Sequence, residues 1–179
     1  MRRIVLIALL CLQACTSTGP VSPQGPEAKS FALNGRVSVK HGEESFSGSL
    51  DWVADARRDE LLFSNPLGQG VASLTRSPSG VVLTPAGKQP VYAETADELT
   101  ERTMGFRLPL AGLRFWVQGL PDPDRPFETT VSDNGGIAQL KQDGWVIDYL
   151  QYRENRPRKI HVTREGLEIR LVIDEWQAN

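Results

Sequence analysis

Apolar and polar residues alternate along most of the chain after residue 30, which is the pattern of strands with one buried face. Residues 31–40 carry four apolar side chains of one parity, and residues 45–52, after the turn His-Gly-Glu-Glu, carry three more. These seven are Phe31, Leu33, Val37, Val39, Phe46, Leu50 and Trp52. A pair of strands with a single apolar face must cover that face, so the pattern predicts a hairpin with one buried side.

Further stretches have the length and alternation of strands, and turn sequences such as Asn-Pro-Leu-Gly and Ser-Pro-Ser-Gly separate them. We predict strands at 59–64, 71–76, 81–84, 89–93, 127–132, 136–142, 144–152, 158–164 and 167–174.

The middle of the chain breaks the period of two. Thr95-Ala-Asp-Glu98 has the spacing of a capping box, which predicts a helix running to Met104 and stopped by Gly105. Pro109 suits the first turn of a second helix, which we expect to end at 119–121, Gly-Leu-Pro. The apolar residues of this second segment recur at helical spacing and form a stripe for burial. They are Leu110, Leu113, Val117 and Leu120, with Trp116 beside them.

Strands, then two helices, then strands again is the order of an antiparallel sheet whose apolar face is covered by central helices. We therefore predict a mainly β protein in which residues 31–179 form a single domain, with about ten to eleven strands. Such a sheet can curl around two short helices and enclose an apolar void, or the helices can fill the core. The pattern alone leaves both arrangements open.

The first 15 residues have the layout of a lipoprotein leader. Arg2 and Arg3 precede an unbroken apolar run, residues 4–12, which is too short to span a bilayer because that takes roughly 20 residues. Leu12-Gln-Ala-Cys15 resembles the lipobox of bacterial lipoproteins, in which the cysteine is acylated and the preceding bond is cut. We expect residues 1–14 to be a removed signal peptide; an ordinary secretory signal is the alternative.

Residues 15–30 would then be the lipidated Cys15 and a tether rich in Pro, Gly and Ser. Two or more acyl chains form a stable membrane anchor. Thr16 occupies the position where lipoproteins retained in the inner membrane often carry Asp, so we expect the outer membrane of a Gram-negative bacterium, periplasmic side.

The remaining composition argues against several classes of chemistry. We expect Cys11 to be removed with the signal peptide and the sulfur of Cys15 to be acylated. The folded domain then has no cysteine for a disulfide, a metal-binding thiolate or a nucleophile. His41 and His161 lack ligand spacing, and we expect both on turns or strand surfaces and no metal or cofactor. Without Arg2 and Arg3 the 20 basic residues fall to 18 against 22 acidic ones, a net charge of −4, which disfavours nucleic-acid binding.

We find no phosphate loop, nucleophile elbow or paired-carboxylate motif, and we expect a protein that is not an enzyme, with no catalytic residues. The acidic pairs Glu43-Glu44 and Asp122/Asp124 lie in turn-like segments, where we expect them to be solvated.

Four basic residues cluster around a turn that Pro157 breaks. This cluster is either a solvated hairpin end or a contact for phosphate head groups or an acidic partner. The four are Arg153, Arg156, Arg158 and Lys159.

A second turn holds an apolar side chain toward solvent. In Asn65-Pro66-Leu67-Gly68, Asn suits the first position of a type I turn, Pro the second and Gly the fourth, which leaves Leu67 at the tip. Isolated exposed leucines are common and need no function. On a lipid-tethered domain, however, Leu67 held by Pro66 can act as a small apolar probe of the bilayer.

The ordered set of motifs resembles one family along nearly all of residues 31–179. The set comprises the lipobox, Leu33-Asn-Gly-Arg36, Asn65-Pro-Leu-Gly68, the segment PLAGLRFWVQGLP at 109–121, residues 145–152 and a closing strand that ends at Trp176. It resembles the LolB family of outer-membrane lipoprotein receptors. The resemblance implies an unclosed, half β-barrel with a helical lid over a hydrophobic cavity.

The resemblance also implies a function. Members accept lipoproteins from the periplasmic carrier LolA and insert them into the outer membrane, and the leucine of their protruding loop maps to Leu67, between Pro66 and Gly68. We expect acyl chains to bind a cavity formed by one sheet face and the lid, in a protein acting as a monomer. From parity, the expected lining is Phe46, Leu50, Trp52, Leu113, Trp116 and Val117.

Two alternatives stay open. The chain could be an outer-membrane lipoprotein that scaffolds or binds other envelope proteins through its sheet. It could also be the LolA carrier itself, which shares the fold, but that carrier is soluble and Cys15 argues against it.

Overall fold

A computed structural model of the protein describes residues 30–133 and 135–177. The proposed leader, Cys15 and nearly all of the tether lie outside these residues. The order of elements is strands, two helices and strands, as the hydrophobic pattern predicts. The elements are β1 (Phe31–His41), β2 (Glu44–Ala54), β3 (Asp59–Ser64), β4 (Gly70–Ser77), β5 (Gly80–Pro85), β6 (Val91–Ala93), α1 (Ala96–Met104), α2 (Leu110–Trp116), β7 (Phe127–Val131), β8 (Ile137–Gln142), β9 (Trp145–Arg153), β10 (Arg156–Arg164) and β11 (Leu167–Gln177).

The strands form one antiparallel sheet of eleven strands in the order β6-β5-β4-β3-β2-β1-β11-β10-β9-β8-β7. The first and last strands of the chain pair in the middle of the sheet, and β6 and β7 are its two edges. The sheet is curved but does not close, so it forms half of a barrel. The predicted fold class is confirmed.

Period-two alternation explains which face of the sheet is buried. Residues of one parity in each long strand lie in a single core, and most of their neighbours of the other parity are half-buried or exposed. The core residues that are most completely enclosed include Leu33, Trp52, Leu74, Ile147 and Val162. Burying one such large apolar side chain stabilises the fold by about 1.5–3 kcal/mol, so the alternation fixes the register of the sheet.

Gly35, part of the Leu33–Arg36 motif, has a steric reason to be glycine. The pairing of β1 with β11 shifts register between Asn34 and Gly35, which brings the β11 backbone unusually close. A Cβ atom on Gly35 would collide with the carbonyl oxygen of Val172.

The helix α1 begins and ends where the sequence predicts. The hydroxyl of Thr95 accepts a hydrogen bond from the amide of Glu98 at 3.2 Å, and Gly105 closes the helix in the left-handed region (φ 76°). No helix in residues 30–133 and 135–177 has the length and apolarity needed to cross a membrane.

The helix α2 is shorter than predicted, since it ends at Trp116 and not at 119–121. Beyond it the chain continues in tight turns, with the amide of Gln118 bonded to Phe115 and that of Gly119 bonded to Trp116. Val117 is still buried, whereas Leu120 is only half-buried.

The antiparallel order separates two ends of the sheet. The terminal end carries Phe31, Gln177 and the turns at 55–58 and 154–155. The far end carries the turns at 42–43, 65–69 and 165–166. Strands of 11 residues such as β1 and β2 separate the two ends by about 36 Å.

Candidate functional site: an apolar cavity under the helices

An apolar cavity of about 390 Å³ lies between the concave face of the sheet and the two helices. This volume falls in the range of small-molecule binding sites, about 300–1,000 Å³. Of the two arrangements that the hydrophobic pattern leaves open, the structure therefore has the one with an apolar void under the helices. All six residues expected from parity lie on the cavity wall: Phe46, Leu50, Trp52, Leu113, Trp116 and Val117.

The cavity opens at the far end. The wall residues near the terminal end, such as Trp52 and Leu61, are almost fully enclosed. Those near the far end are partly or fully exposed: Glu44, the first residue of β2, is exposed, and Met104 at the end of α1 is 38% exposed. Five of the lining residues are polar, and three of these five lie together at the far end. The five are His41, Glu44, Ser45, Thr100 and Thr103.

His41 is half-buried at the end of β1, beside this opening, and its ring lies 5.6 Å from that of Phe106 in the connection between the helices. His161 is a half-buried strand residue whose Nε2 lies 2.8 Å from Glu168. Among residues 30–133 and 135–177, no three His, Cys, Asp or Glu side chains are grouped so as to hold a metal ion.

A buried ion pair fixes α2 to the sheet at the terminal end. The Nη1 group of Arg114 donates to Oδ2 of Asp59 at 3.2 Å, and its Nη2 group donates to the carbonyl of Asp55 at 2.6 Å. Arg76 and Nε1 of Trp52, at 3.1 Å, also donate to the Asp59 carboxylate, which is 0% exposed. Burial raises the pKa of Asp59, and the hydrogen bonds from Arg76 and Trp52 oppose that rise.

Gln142 ties α2 to the other half of the sheet. Its Oε1 accepts from Nε1 of Trp116 at 2.8 Å and from the amide of Asp122 at 2.9 Å, and its Nε2 donates to the carbonyl of Asp122 at 2.8 Å. The hydroxyl of Tyr149 donates to the carbonyl of Trp116 at 2.9 Å, and burial raises the pKa of this phenol. Asp122 is consequently buried, so the expectation that it would be solvated is wrong.

The connection between the helices makes contacts of a different kind. The amide of Leu108 donates to the hydroxyl of Thr100 at 2.8 Å, and Arg107 bonds Glu101 at 2.8 Å, so these bonds stay within the helical segment. Phe106 meets the sheet through apolar and ring contacts. The helix α2 is thus hydrogen-bonded to the strands at Asp59 and Gln142, whereas the connection between the helices packs on the sheet by apolar contacts.

The turn that carries Leu67 is ordered by Asn65. The amide of Gly68 donates to the carbonyl of Asn65 at 2.9 Å, which closes the predicted turn. The side-chain Oδ1 of Asn65 accepts from the amides of Leu67 and Gln69, each at 3.0 Å. Leu67 itself is 84% exposed, so a well-defined turn presents an isobutyl group to solvent.

This turn stands beside the cavity opening. It connects β3 and β4 at the far end, and the residues that flank it line the cavity: Phe63 before the turn, Val71 and Ala72 after it. The sequence predicted the turn and its exposed leucine, but only the strand register shows that the turn and the opening share one end of the sheet.

The four basic residues lie at the opposite end. The turn falls at Glu154-Asn155, both with positive φ (50° and 62°), and Pro157 is buried within β10 at a register shift. Arg158 is half-buried, while Arg153, Arg156 and Lys159 are exposed. The terminal end is thus not simply a solvated hairpin broken by Pro157.

Together these features define a half-barrel protein with an apolar cavity under a helical lid. Solved structures share this architecture. A LolA superfamily protein from Nitrosomonas europaea superposes with a TM-score of 0.53 at 9% identity, covering 86% of this chain and 87% of that one. A DUF1329 family protein from Desulfovibrio piger gives a TM-score of 0.55 at 8% identity, with coverage of 86% and 87%. At such identities the likeness concerns the fold alone.

Other proteins resemble this chain much more closely in sequence. The sequence model described as "Outer membrane lipoprotein LolB" matches residues 29–176. An outer-membrane lipoprotein LolB from Thiobacillus denitrificans is 44% identical over 185 residues, covering 99% of both chains. One from Stutzerimonas stutzeri is 34% identical, covering 94% of this chain and 91% of its own. The chain belongs to the LolB family.

Membership has two consequences. The protein acts in outer-membrane lipoprotein localisation, and its place is the outer membrane of a Gram-negative bacterium. The LolB family is a family of lipoprotein-trafficking proteins and not of enzymes.

Proposed function

We propose that this protein receives the acyl chains of a lipoprotein from a LolA-type periplasmic carrier, holds them in its cavity, and releases them into the outer membrane. The observation that carries the proposal is the apolar cavity, whose opening stands beside the Leu67 turn. Each methylene exposed to water costs about 0.8 kcal/mol, so acyl chains cross an aqueous space only when they are covered. The walls formed by Leu50, Trp116 and Val117 provide such a cover.

The transfer needs no catalysis. Each step runs from a weaker to a stronger apolar environment, first from the carrier to this cavity and then from the cavity to the bilayer. We accordingly assign the protein no catalytic residue and no cofactor, and we take it to act as a monomer. A scaffold for other envelope proteins would have no use for an apolar cavity, so the cavity favours transfer over that alternative.

We assign Leu67 to the release step. Burial of one leucine in the bilayer contributes only about 1.5–3 kcal/mol, which is too little for an anchor. The acyl chains that we propose on Cys15 supply the anchor instead. Leu67 can bias the far end of the domain toward the membrane, with Pro66 and Gly68 setting the shape of its turn.

A transfer assay tests the proposal. The mature lipidated protein in liposomes is mixed with a LolA-type carrier loaded with a radiolabelled lipoprotein, and cargo in the liposomes is measured after flotation. We expect cargo to move to liposomes that contain the protein and to stay on the carrier when they lack it. Equal movement in both samples would refute the receptor role.

A further inference from the structure

The terminal end of the sheet carries a cleft that the proposed function does not use. It lies between the turn at 154–155 and the last residues of β11, and it contains the basic cluster of Arg153, Arg156 and Arg158. In the described parts of the chain, none of these arginines, nor Lys159, has a carboxylate within salt-bridge distance. Unneutralised positive charge is therefore concentrated on one turn of a protein whose net charge is −2.

The acidic residues of the cleft are already engaged or stand apart. Asp174 accepts two hydrogen bonds from Arg36, at 3.0 and 3.1 Å, and Glu175 accepts one from Asn34 at 3.4 Å. Glu154 is exposed at the turn itself. In the described parts of the chain, the three arginines of the cleft therefore outnumber the two carboxylates, Glu154 and Glu175, that no basic side chain neutralises.

One donor in the cleft is especially suited to an incoming acceptor. The Nη1 group of Arg158 is buried and makes no hydrogen bond within residues 30–133 and 135–177. A buried donor without an acceptor is costly, and a phosphate oxygen would satisfy it in a geometry that guanidinium groups favour.

The cleft has an aromatic wall. The guanidinium of Arg156 stacks over the ring of Trp176 at 5.2 Å, and Nε1 of Trp176 donates to the carbonyl of Pro157 at 3.3 Å. Trp176 also packs edge-on against Phe31, with 5.8 Å between the ring centroids. Arginine beside tryptophan is a combination that suits the headgroup layer of a membrane.

The position of the cleft relates it to the membrane anchor. Phe31 begins β1 and contacts Trp176, so the chain leads from this cleft directly to the tether and to Cys15. The cleft and Phe31, where the tether joins the domain, therefore lie at the same end of the sheet, about 36 Å from the cavity opening at the far end.

We propose that this basic cleft binds the phosphate of phospholipid headgroups and holds the terminal end against the bilayer, so that the cavity opening faces the periplasm. This inference rests on the proposed function, since it assigns an orientation for loading. An opening held away from the membrane is accessible to a soluble carrier. Release then requires the domain to turn over so that Leu67 meets the bilayer.

The tether is long enough for that rotation. The 15 residues from Thr16 to Ser30 span at most about 50 Å when fully extended, which exceeds the length of the domain. The two membrane contacts thus act in succession, the cleft during loading and Leu67 during release.

Fluorophores at the two ends of β2 test the orientation. No cysteine follows Cys15, so Ala56→Cys at the terminal end and Glu43→Cys at the far end each give one labelling site in the mature lipidated protein. The protein is placed in vesicles of phosphatidylethanolamine and phosphatidylglycerol that contain a lipid with a quencher on its headgroup. We expect the label at 56 to be quenched several-fold more strongly than the label at 43.

Matched variants identify the cause. R153Q/R156Q/R158Q should make the two labels equally quenched, and R153Q/R156Q, which changes only exposed side chains, should reduce the difference while leaving the fold intact. K40Q/K88Q/K141Q removes the same charge from the surface outside the cleft and should leave the difference unchanged. Salt at about 1 M, where the Debye length is about 3 Å, should abolish it.

The outcomes separate this inference from the proposed function. The proposed orientation is overturned if the two labels are quenched equally in the protein with its original arginines. It is also overturned if the difference in quenching is unchanged in R153Q/R156Q/R158Q. Cargo transfer measured on the same vesicles reports separately on the receptor role. Inorganic phosphate that releases the terminal end at millimolar concentration would show that the cleft prefers the free ion, which also overturns the assignment to lipid.

Discussion

Arg114 of the helix α2 and Asp59 of the strand β3 form an ion pair of 3.2 Å beneath the lid. The side chain of Arg114 is 10% exposed and that of Asp59 is 0% exposed, so the pair is shielded from solvent. It joins residues 55 positions apart and fixes the terminal end of the lid to the sheet.

Replacement of Arg114 by Met should destabilise the fold by about 1.5–3 kcal/mol, since a hydrogen bond to a buried charged group is lost. The measurement is urea denaturation at pH 7. Arg58→Met, which removes an exposed pair with Glu60, is the control and should change stability by no more than about 0.5 kcal/mol. Equal stability of the Arg114 variant and the original would contradict the role of this pair.

The same variant should show a defined pH dependence. The folded-state pKa of Asp59 is raised by burial, so its titration favours the folded state at low pH and this stability is lost as pH rises through that pKa. Without Arg114 the pKa rises further and more stability is lost at neutral pH. The folded-state pKa of Asp59 then lies above the ordinary pKa of a free Asp, about 4, in both proteins, so the deficit of Arg114→Met should shrink as pH falls through this window and be smallest below about pH 4. A deficit that is constant from pH 7 to pH 3 would argue against this electrostatic cause.

Gln142→Leu should cost about 1–3 kcal/mol for each of two donors left without an acceptor, Nε1 of Trp116 and the amide of Asp122. Gln139→Leu is the matched control on the same strand, because the side chain of Gln139 bonds only that of Asp148 among the described residues. Chemical denaturation of both variants gives the comparison. If Gln139→Leu proved as damaging as Gln142→Leu, the Gln142 network would not be what holds α2.

Strands and the first helix could be predicted from the sequence because their signals are local. Alternation placed Leu167, Ile169 and Leu171 on one face, and the Thr95 cap and Gly105 stop are short-range hydrogen-bond patterns. The end of α2 was wrong because tight turns after Trp116 satisfy the backbone as well as a further helical turn would.

The fixed end of the lid could not be predicted in this way. Asp59, Arg114 and Gln142 each resemble ordinary surface residues in their local sequence. Arg114 meets Asp59, and Gln142 meets Trp116, only when the sheet curves around α2. The sequence places Pro157 at a turn, yet a register shift lets it lie inside β10 without an amide to pair. The cavity volume likewise depends on the curvature of the sheet, which the alternation does not encode.

Leu67→Glu should leave uptake of cargo unchanged and reduce delivery to liposomes strongly, because a charged group opposes insertion of the turn. Since Leu67 is 84% exposed, the variant should unfold at the same urea concentration as the original. Leu67→Met keeps an apolar tip and should deliver normally. The rates of cargo loading and of cargo release are measured separately, and normal delivery by Leu67→Glu would remove this residue from the release step.

Ala72→Trp should block uptake by filling the cavity, since Ala72 lies on its wall. Ser73→Trp adds the same side chain at the next position of β4, which points to the other face of the sheet, and should accept cargo as before. Binding of cargo from a loaded carrier is the readout. Equal uptake by both variants would show that cargo does not enter the cavity.

The most direct test of the central claim is to locate the acyl chains. A lipoprotein whose acyl chain carries a photoreactive diazirine is transferred from the carrier to this protein and irradiated, and cross-linked peptides are mapped by mass spectrometry. If the cavity holds the acyl chains, adducts form on residues of the concave face and not on their outward neighbours. The inward residues are Leu74, Leu83 and Ile160, and the outward ones are Thr75, Val82 and His161. Adducts mainly on the outward set would contradict the claim that the cavity holds the cargo.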